Sequence, residues 1–149
     1  MLSDLLIAVA GGFAGFIASV FFHAWTGRIS DDQASLDELK EALSQVRQLG
    51  LNFWLVDAMP SNDEIKARTI LWCAVHTTSE YEKILRRCLK ADFDEYQRLD
   101  DRLFDIATGD EFESAGRKAN PAIATEISVT CSKMRSMIRT RRRDLLWAH

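Results

Sequence analysis

Proline and glycine, the residues that most often interrupt helices, are scarce: two prolines and seven glycines occur among 149 residues. Three of the glycines lie in one apolar stretch near the N-terminus, so the rest of the chain has few helix breakers. Apolar residues make up 47% and charged residues 28%, which argues against a disordered chain and against many membrane spans. The sequence therefore predicts an all-α fold.

Cysteine and histidine are also rare. Cys73, Cys88 and Cys131 are widely spaced, odd in number and set among apolar residues, which predicts reduced thiols in a reducing compartment rather than a disulfide framework. Cys73 and His76 have the spacing of half a metal site. The further ligands would have to come from distant residues, so we expect a buried thiol beside a hydrogen-bonded histidine, with no metal and no other cofactor.

Catalytic motifs are missing from the sequence. It contains no P-loop, GxGxxG, HExxH, GxSxG or CxxC pattern. With only three histidines, the usual general base is scarce as well. We therefore expect a protein that is not an enzyme and has no catalytic residues. The small net charge of −3 gives no reason to expect binding to a nucleic-acid duplex.

What the N-terminus does contain is a long uncharged run, Leu5 to Phe22, which extends to Trp25 if His23 is neutral. About 20 helical residues cross a hydrocarbon layer of ~30 Å. A signal peptide would begin with a basic leader, whereas Asp4 stands in that place here. We therefore expect residues 1–28 to form a transmembrane anchor; the alternative is a buried core helix.

The basic residues near this run predict its orientation. Arg28, Lys40 and Arg47 follow it, and no lysine or arginine precedes it. By the positive-inside rule, residues 29–149 form a cytoplasmic α-helical domain, and the chain crosses the inner (plasma) membrane once.

One face of the predicted span carries only small side chains. On a helix they fall within an arc of about 120°. Gly11 and Gly15 form a GxxxG pair, which lets two helices approach closely in lipid. We expect a homo-oligomer; the alternative is that small residues are common in membrane helices. The predicted oligomerisation residues are Ala8, Gly11, Gly12, Gly15 and Ser19.

A compact bundle of about four helices is expected for residues 29–149. Ser35 with Glu38 and Ser61 with Glu64 have capping-box spacing and predict two helix starts. Asn120-Pro121 predicts the start of the last helix, since proline fits the first helical position.

Apolar periodicity places the core of this bundle. Leucine and valine recur at helical spacing from Leu36 to Leu49, and Gly50 is expected to end or weaken that helix. The run Ile70–Val75 is apolar on every side and is expected to be the centre of the core. The polar loop Thr108–Asn120 is either a recognition loop or an ordinary surface connection.

Charge is distributed unevenly along the chain. Nine acidic residues face two basic ones between Asp92 and Glu113, a local net charge of −7. From Arg117 onward, eight basic residues face two acidic ones, a net charge of +6. In the simpler interpretation, the two helices pack side by side and neutralise each other.

In the second interpretation, the last helix binds anions. Arg135, Arg139, Arg142 and Arg143 share one face of about 100°, opposite apolar residues. Such a face suits anionic lipid headgroups or a phosphorylated ligand. Arg141 falls among the apolar residues, so its guanidinium group needs a partner. We expect an internal carboxylate in that role rather than a ligand. The candidate anion- or lipid-binding residues are Arg135, Arg139, Arg141, Arg142 and Arg143.

Two functional hypotheses follow. The first is a non-catalytic, membrane-anchored interaction or regulatory module that oligomerises through its glycine-faced span and binds a protein partner or the membrane surface. The second is a ligand-gated effector of the antiviral-defence type, in which the basic helix senses an anionic signal such as a nucleotide and the spans disturb the membrane. The resemblance to antiviral effectors in the second hypothesis is an analogy from overall architecture alone.

Overall fold

The computed structural model describes Gly27, residues 30–109 and residues 111–147, with the side chains of Arg142 and of residues 144–147 left aside. The predicted membrane span and its oligomerisation residues Ala8, Gly11, Gly12, Gly15 and Ser19 lie outside this part of the chain. Within it, the fold is all-helical and contains no strand. The chain divides into two compact units, Met1–Ala34 and Ser35–His149, and only the second is described almost completely.

Four long helices and one short helix make up the described fold. They are α1 (30–54), α2 (Ser61–Ser79), α3 (Glu82–Leu89), α4 (Phe93–Ala107) and α5 (Pro121–Trp147). A 3₁₀ turn, Lys90–Asp92, joins α3 to α4. Lys90 has a positive φ of 51°, so the chain turns through the left-handed region there. None of these helices combines the length and the apolar character needed to cross a membrane.

Helix α1 buries a continuous apolar stripe against the rest of the fold. As predicted, the stripe follows the helical period, and it extends to Phe53 and Trp54 at the C-terminal end. The capping-box prediction at Ser35 is wrong, because residues 30–34 are already helical. Gly50 does not end the helix. Its absent side chain instead leaves room for Ile127, whose Cγ2 would lie 2.9 Å from an added Cβ.

Helix α2 is less buried than its apolar run suggests. Leu71 and Val75 are buried, but Ile70 and Trp72 are 42% and 46% exposed and Cys73 is exposed. The prediction that Ile70–Val75 is the centre of the core is therefore wrong. Only one side of α2 packs on neighbouring helices, and an apolar run does not indicate which side that is.

The core lies where α4 packs against α2 and α5 and where α1 closes over α5. The fully buried side chains come from all four long helices and from α3, and they include Leu39, Trp54, Leu89, Leu103 and Ile127. Trp54 Nε1 donates a hydrogen bond to the carbonyl of Ala107, 3.2 Å away. This bond satisfies the one polar atom of the indole, so the largest core side chain carries no desolvation penalty.

Candidate functional site

Helix α5 presents two different faces along its length. Pro121 occupies its first position as predicted, and Asn120 Oδ1 accepts the backbone N–H of Ile123 at 3.3 Å. Five side chains spaced by three or four residues are buried on one face. They are Ala124, Ile127, Cys131, Met134 and Ile138. Because this face fills the core, the opposite face is left for polar groups.

About 120° from the centre of the buried face, α5 carries a row of serines and arginines, which we call the basic strip. The strip consists of Ser128, Ser132, Arg135, Ser136, Arg139 and Arg143. Apart from the adjacent pair Arg135-Ser136, successive members lie three or four residues apart, which places them on one side of the helix. Arg139 and Arg143 are exposed and Arg135 is half-buried. A shallow depression of about 220 Å³ is lined by Ser132, Arg135, Ser136 and Arg139.

The arginines of the strip lack a carboxylate partner in the part of the chain that the structure describes. Among the described residues, Arg135, Arg139 and Arg143 form no ion pair. Arg47 of α1 adds another positive charge, because its Nε donates a hydrogen bond to Ser128 Oγ at 2.8 Å. The Nε of Arg135 is buried and has no hydrogen-bond acceptor. An anion at this surface would therefore gain attraction without first breaking an internal pair.

The thiol of Cys131 lies beneath the strip. Burial raises the pKa of Cys131 to about 12, although Arg47 and Arg135 act in the opposite direction. The thiol therefore stays protonated near neutral pH and is a core group, as its burial predicts.

Arg141 does not belong to the basic strip. Its Nη2 donates to the carbonyl of Leu89 at 3.2 Å, and its Nε lies 3.6 Å from Asp92 Oδ2. The expected internal carboxylate is thus Asp92, and Arg141 also interacts favourably with the C-terminal end of α3. Of the five candidate arginines, the structure brings Arg135, Arg139 and Arg143 together, separates Arg141, and leaves the side chain of Arg142 undescribed.

The acidic and basic segments are only partly paired with each other. In the described chain, Arg102 of α4 pairs with Glu126 of α5, and Asp92 pairs with Arg141. In the first of these pairs the charges are reversed relative to the expectation, because the arginine lies in the acidic segment and the glutamate lies in the basic one. Neither pair uses a strip residue, so mutual neutralisation does not account for the basic strip.

The sequence analysis missed a buried ion pair between Arg117 and Glu64. Arg117 Nε donates to Glu64 Oε1 at 2.9 Å and Nη2 donates to Oε2 at 3.2 Å. Nη1 donates to the carbonyls of Phe53 and Val56 at 2.7 and 2.8 Å. The guanidinium also lies 3.9 Å from the centroid of the Phe53 ring. These hydrogen bonds are all made to acceptors within the protein, so Arg117 stabilises the loop before α5 and does not form a ligand site.

The predicted helix start at Ser61 is confirmed, because α2 begins there, but the capping box of Ser61 and Glu64 is absent. Pro60 occupies the N-cap of α2 and no side chain caps the helix. Glu64 Oε2 instead accepts the backbone N–H of Met59 at 3.1 Å. Burial alone would raise the pKa of Glu64, but the hydrogen bonds from Arg117 and Met59 hold it below its usual value. The pattern of residues near Glu64 gave no indication that its partner is Arg117, which lies 53 residues away.

Cys73 and His76 do not form part of a metal site in the described residues. No group of three or more histidine, cysteine, aspartate or glutamate side chains lies together there with metal-binding geometry. Cys73 is exposed, contrary to expectation. The ring of His76 packs between Trp72 and Phe104, with centroid distances of 3.9 and 5.3 Å.

The basic strip is therefore the best candidate binding surface that the sequence predicted and the described structure assembles. Comparison with protein-family models, with curated proteins and with solved structures finds no significant match to this chain.

Proposed function

We propose that the chain is a non-catalytic, membrane-anchored interaction module whose helical unit binds phosphate-bearing groups through the basic strip of α5. Residues 1–28 supply the anchor in this proposal, and the small-residue face of the span brings copies together. The observation that carries the proposal is the exposed position of Arg139 and Arg143, which have no carboxylate partner among the described side chains. Arginine forks match phosphate geometry, and serine hydroxyls beside them add donors.

Two sources of phosphate suit the strip: lipid headgroups and soluble nucleotides. An anchored strip lies close to the bilayer surface, where each basic residue contributes about 1 kcal/mol of attraction to anionic lipid. The same chemistry serves a soluble ligand, and the sensor-effector hypothesis requires that case. Phosphate from either source would be recognised by the same arginines, so one comparison of a strip variant with wild type tests both.

The test compares the wild-type full-length chain with an Arg139→Glu/Arg143→Glu variant. In detergent, binding of a nucleotide panel and of inositol phosphates is measured by equilibrium dialysis at low and physiological salt. In vesicles with and without anionic lipid, a dye on a Ser136→Cys, Cys73→Ser chain reports contact between the strip and the headgroups. The charge reversal should weaken whichever interaction occurs at least about tenfold, because two attractive charges become repulsive.

Lys133→Glu is the matched control. Lys133 is exposed on the same helix but faces about 120° away from Arg139, so it changes the charge by the same kind of substitution outside the strip. Lys133→Glu changes the net charge by −2 and the strip variant by −4, so a loss of binding in the control that is half as large on a logarithmic scale would show that only net charge matters. Unchanged binding after Arg139→Glu/Arg143→Glu would remove the strip from the proposal.

Saturable binding of one nucleotide would favour the effector hypothesis over the adaptor hypothesis. The effector should then permeabilise cells when overproduced with its ligand, and Gly11→Leu/Gly15→Leu should abolish that effect. An adaptor should leave cells intact in both forms.

A further inference from the structure

A second surface, between α2 and α4, has a chemical character opposite to that of the basic strip. We call it the acidic groove; its residues are Trp72, His76, Asp100, Asp101, Phe104 and Asp105. Trp72 is 46% exposed, although tryptophan is usually well buried. Its ring lies against that of His76 at a tilt of 59°, and His76 contacts Phe104 in turn. Three rings thus line a surface that no other described segment covers.

The carboxylates of the acidic groove form no ion pair in the described chain, although His76 interacts electrostatically with Asp100. Asp100, Asp101 and Asp105 form no ion pair there. Asp100 accepts a hydrogen bond from Thr78 Oγ1 at 2.8 Å, but burial still raises the pKa of its carboxyl group. A cation beside Asp100 would relieve that unfavourable burial of charge. Aromatic faces next to carboxylates are a suitable setting for guanidinium groups.

A small cavity adjoins the groove and contains an unsatisfied polar group. The cavity has a volume of about 150 Å³ and is lined by residues that include Thr78, Tyr96 and Asp100. Tyr96 is only 2% exposed, and its hydroxyl has no hydrogen-bond partner. Buried hydroxyl groups are normally satisfied, so this wall of the cavity has unused hydrogen-bonding capacity.

We propose that the acidic groove binds the basic strip of a second copy of this chain. The spacing of charges supports this occupant. Asp101 and Asp105 lie four residues apart on α4, and Arg139 lies four residues from both Arg135 and Arg143 on α5. Four helical residues span about 6 Å, so carboxylates and guanidinium groups repeat at the same interval on the two surfaces. Each copy carries both surfaces, and neither is neutralised within its own described chain.

Docking of this kind is head-to-tail, because two different surfaces meet. Each docked pair keeps one open groove and one open strip, so the contact propagates into a ring or a row of copies. It differs from pairing through the span, which needs only the small-residue face. The inference therefore goes beyond the proposed function. If the strip also binds phosphate, ligand and neighbouring copy compete for the same arginines, and each weakens the binding of the other.

A charge-swap experiment with full-length chains in detergent tests the proposal. The groove variant is Asp101→Arg/Asp105→Arg and the strip variant is Arg139→Asp/Arg143→Asp. Co-capture of copies that carry two different affinity tags measures association. Each variant with itself should associate at least tenfold more weakly than wild type, since like charges then face each other. A mixture of the two variants should recover association, because both possible contacts again join opposite charges.

Two further chains serve as controls. Lys133→Asp and Glu95→Arg make the same kinds of charge reversal, at one exposed position each outside both surfaces, and should associate like wild type. Every pairing contains the same span, so span-mediated association adds an equal background. Far-ultraviolet circular dichroism verifies that each variant is folded.

Failure of the mixture to recover association, with both variants folded, would overturn the proposal. So would a loss of association in the groove variant alone, which would indicate that the groove contacts a surface of the second copy other than the basic strip. Loss of phosphate binding by the strip variant, with self-association unchanged, would leave the proposed function intact and refute this inference alone.

Discussion

Arg117 and Glu64 form a buried bidentate ion pair across 53 positions of sequence, and the exposed fraction of each side chain is at most 5%. The pair holds the loop before α5 against the first turn of α2. Removing one partner leaves the other charge buried and uncompensated, which costs about 3–5 kcal/mol in comparable sites. Arg117→Ala should lower the free energy of unfolding by that amount, as measured by urea titration of the full-length chain with tryptophan fluorescence.

Arg102→Ala is the matched control for this prediction. Its pair with Glu126 is exposed, so the free energy of unfolding should change by less than about 1 kcal/mol. Similar losses in Arg117→Ala and Arg102→Ala would contradict a special role for the buried pair.

Acid should destabilise the fold partly through Glu64. Its pKa lies below the ordinary value of 4.5 in the folded state, so the unfolded state binds more protons as the pH falls below 4.5. The stability contributed by Glu64 is therefore complete above pH 4.5 and is lost as the pH falls through the folded pKa. Glu64→Gln should reduce stability at neutral pH and make its fall below pH 4.5 shallower.

Ionisation of Asp100 should change the stability of the fold in the opposite direction from ionisation of Glu64, so Asp100 serves as the comparison. Burial raises its pKa in the folded state, so its ionisation lowers stability as the pH rises above the ordinary value of 3.8. Asp100→Asn should therefore steepen the acid-induced loss. The prediction is wrong if unfolding curves recorded across the acid range have the same slope in Glu64→Gln and wild type.

Gly50 should tolerate a methyl group only when Ile127 is shortened. An added Cβ would lie 2.9 Å from Ile127 Cγ2 and 3.0 Å from Cδ1. Overpacking of this kind costs about 1–3 kcal/mol, whereas alanine in place of glycine in a helix gains about 0.5–1 kcal/mol. Gly50→Ala should therefore destabilise the wild-type chain and stabilise an Ile127→Ala chain. A double-mutant cycle in urea tests this, and an equal effect in both backgrounds would refute the contact.

The three thiols should react at very different rates. Cys73 is exposed, whereas Cys88 and Cys131 are buried. Burial also raises the pKa of Cys131 to about 12, which removes the reactive thiolate near neutral pH. An aromatic disulfide reagent should modify one thiol rapidly in the native chain and the other two only on unfolding. Cys73→Ser should abolish the rapid phase, and its persistence would contradict the assigned exposure.

The features that depend on local sequence were predicted from the periodicity and the helix-start signals. The stripe from Leu36 to Val46 is buried, and α5 begins at Pro121 as its sequence indicates. The position of Arg141 among apolar residues also indicated a carboxylate partner, although nothing local identified Asp92.

Long-range partners account for the errors. Glu64 has capping-box spacing, but a guanidinium 53 residues away binds it more strongly than a helix end would. The apolar run at Ile70–Val75 predicts burial on every side, yet Trp72 is exposed and lies against the exposed ring of His76. Which face of α2 meets other helices depends on the packing of the whole fold, and one segment does not contain that information. The acidic groove was missed for the same reason.

The arginines of the basic strip and the aspartates of the acidic groove lie on different helices, α5 and α4, so the helical unit carries unlike charges on two distinct surfaces. Beside a negatively charged bilayer surface, the arginines of the strip would be attracted to the headgroups and the aspartates of the groove would be repelled from them. Both forces act over about one Debye length, ~8 Å at physiological ionic strength. In the proposed anchored chain, the surface would thus favour orientations that bring the strip nearer to it than the groove before any specific contact forms, and salt would weaken that preference.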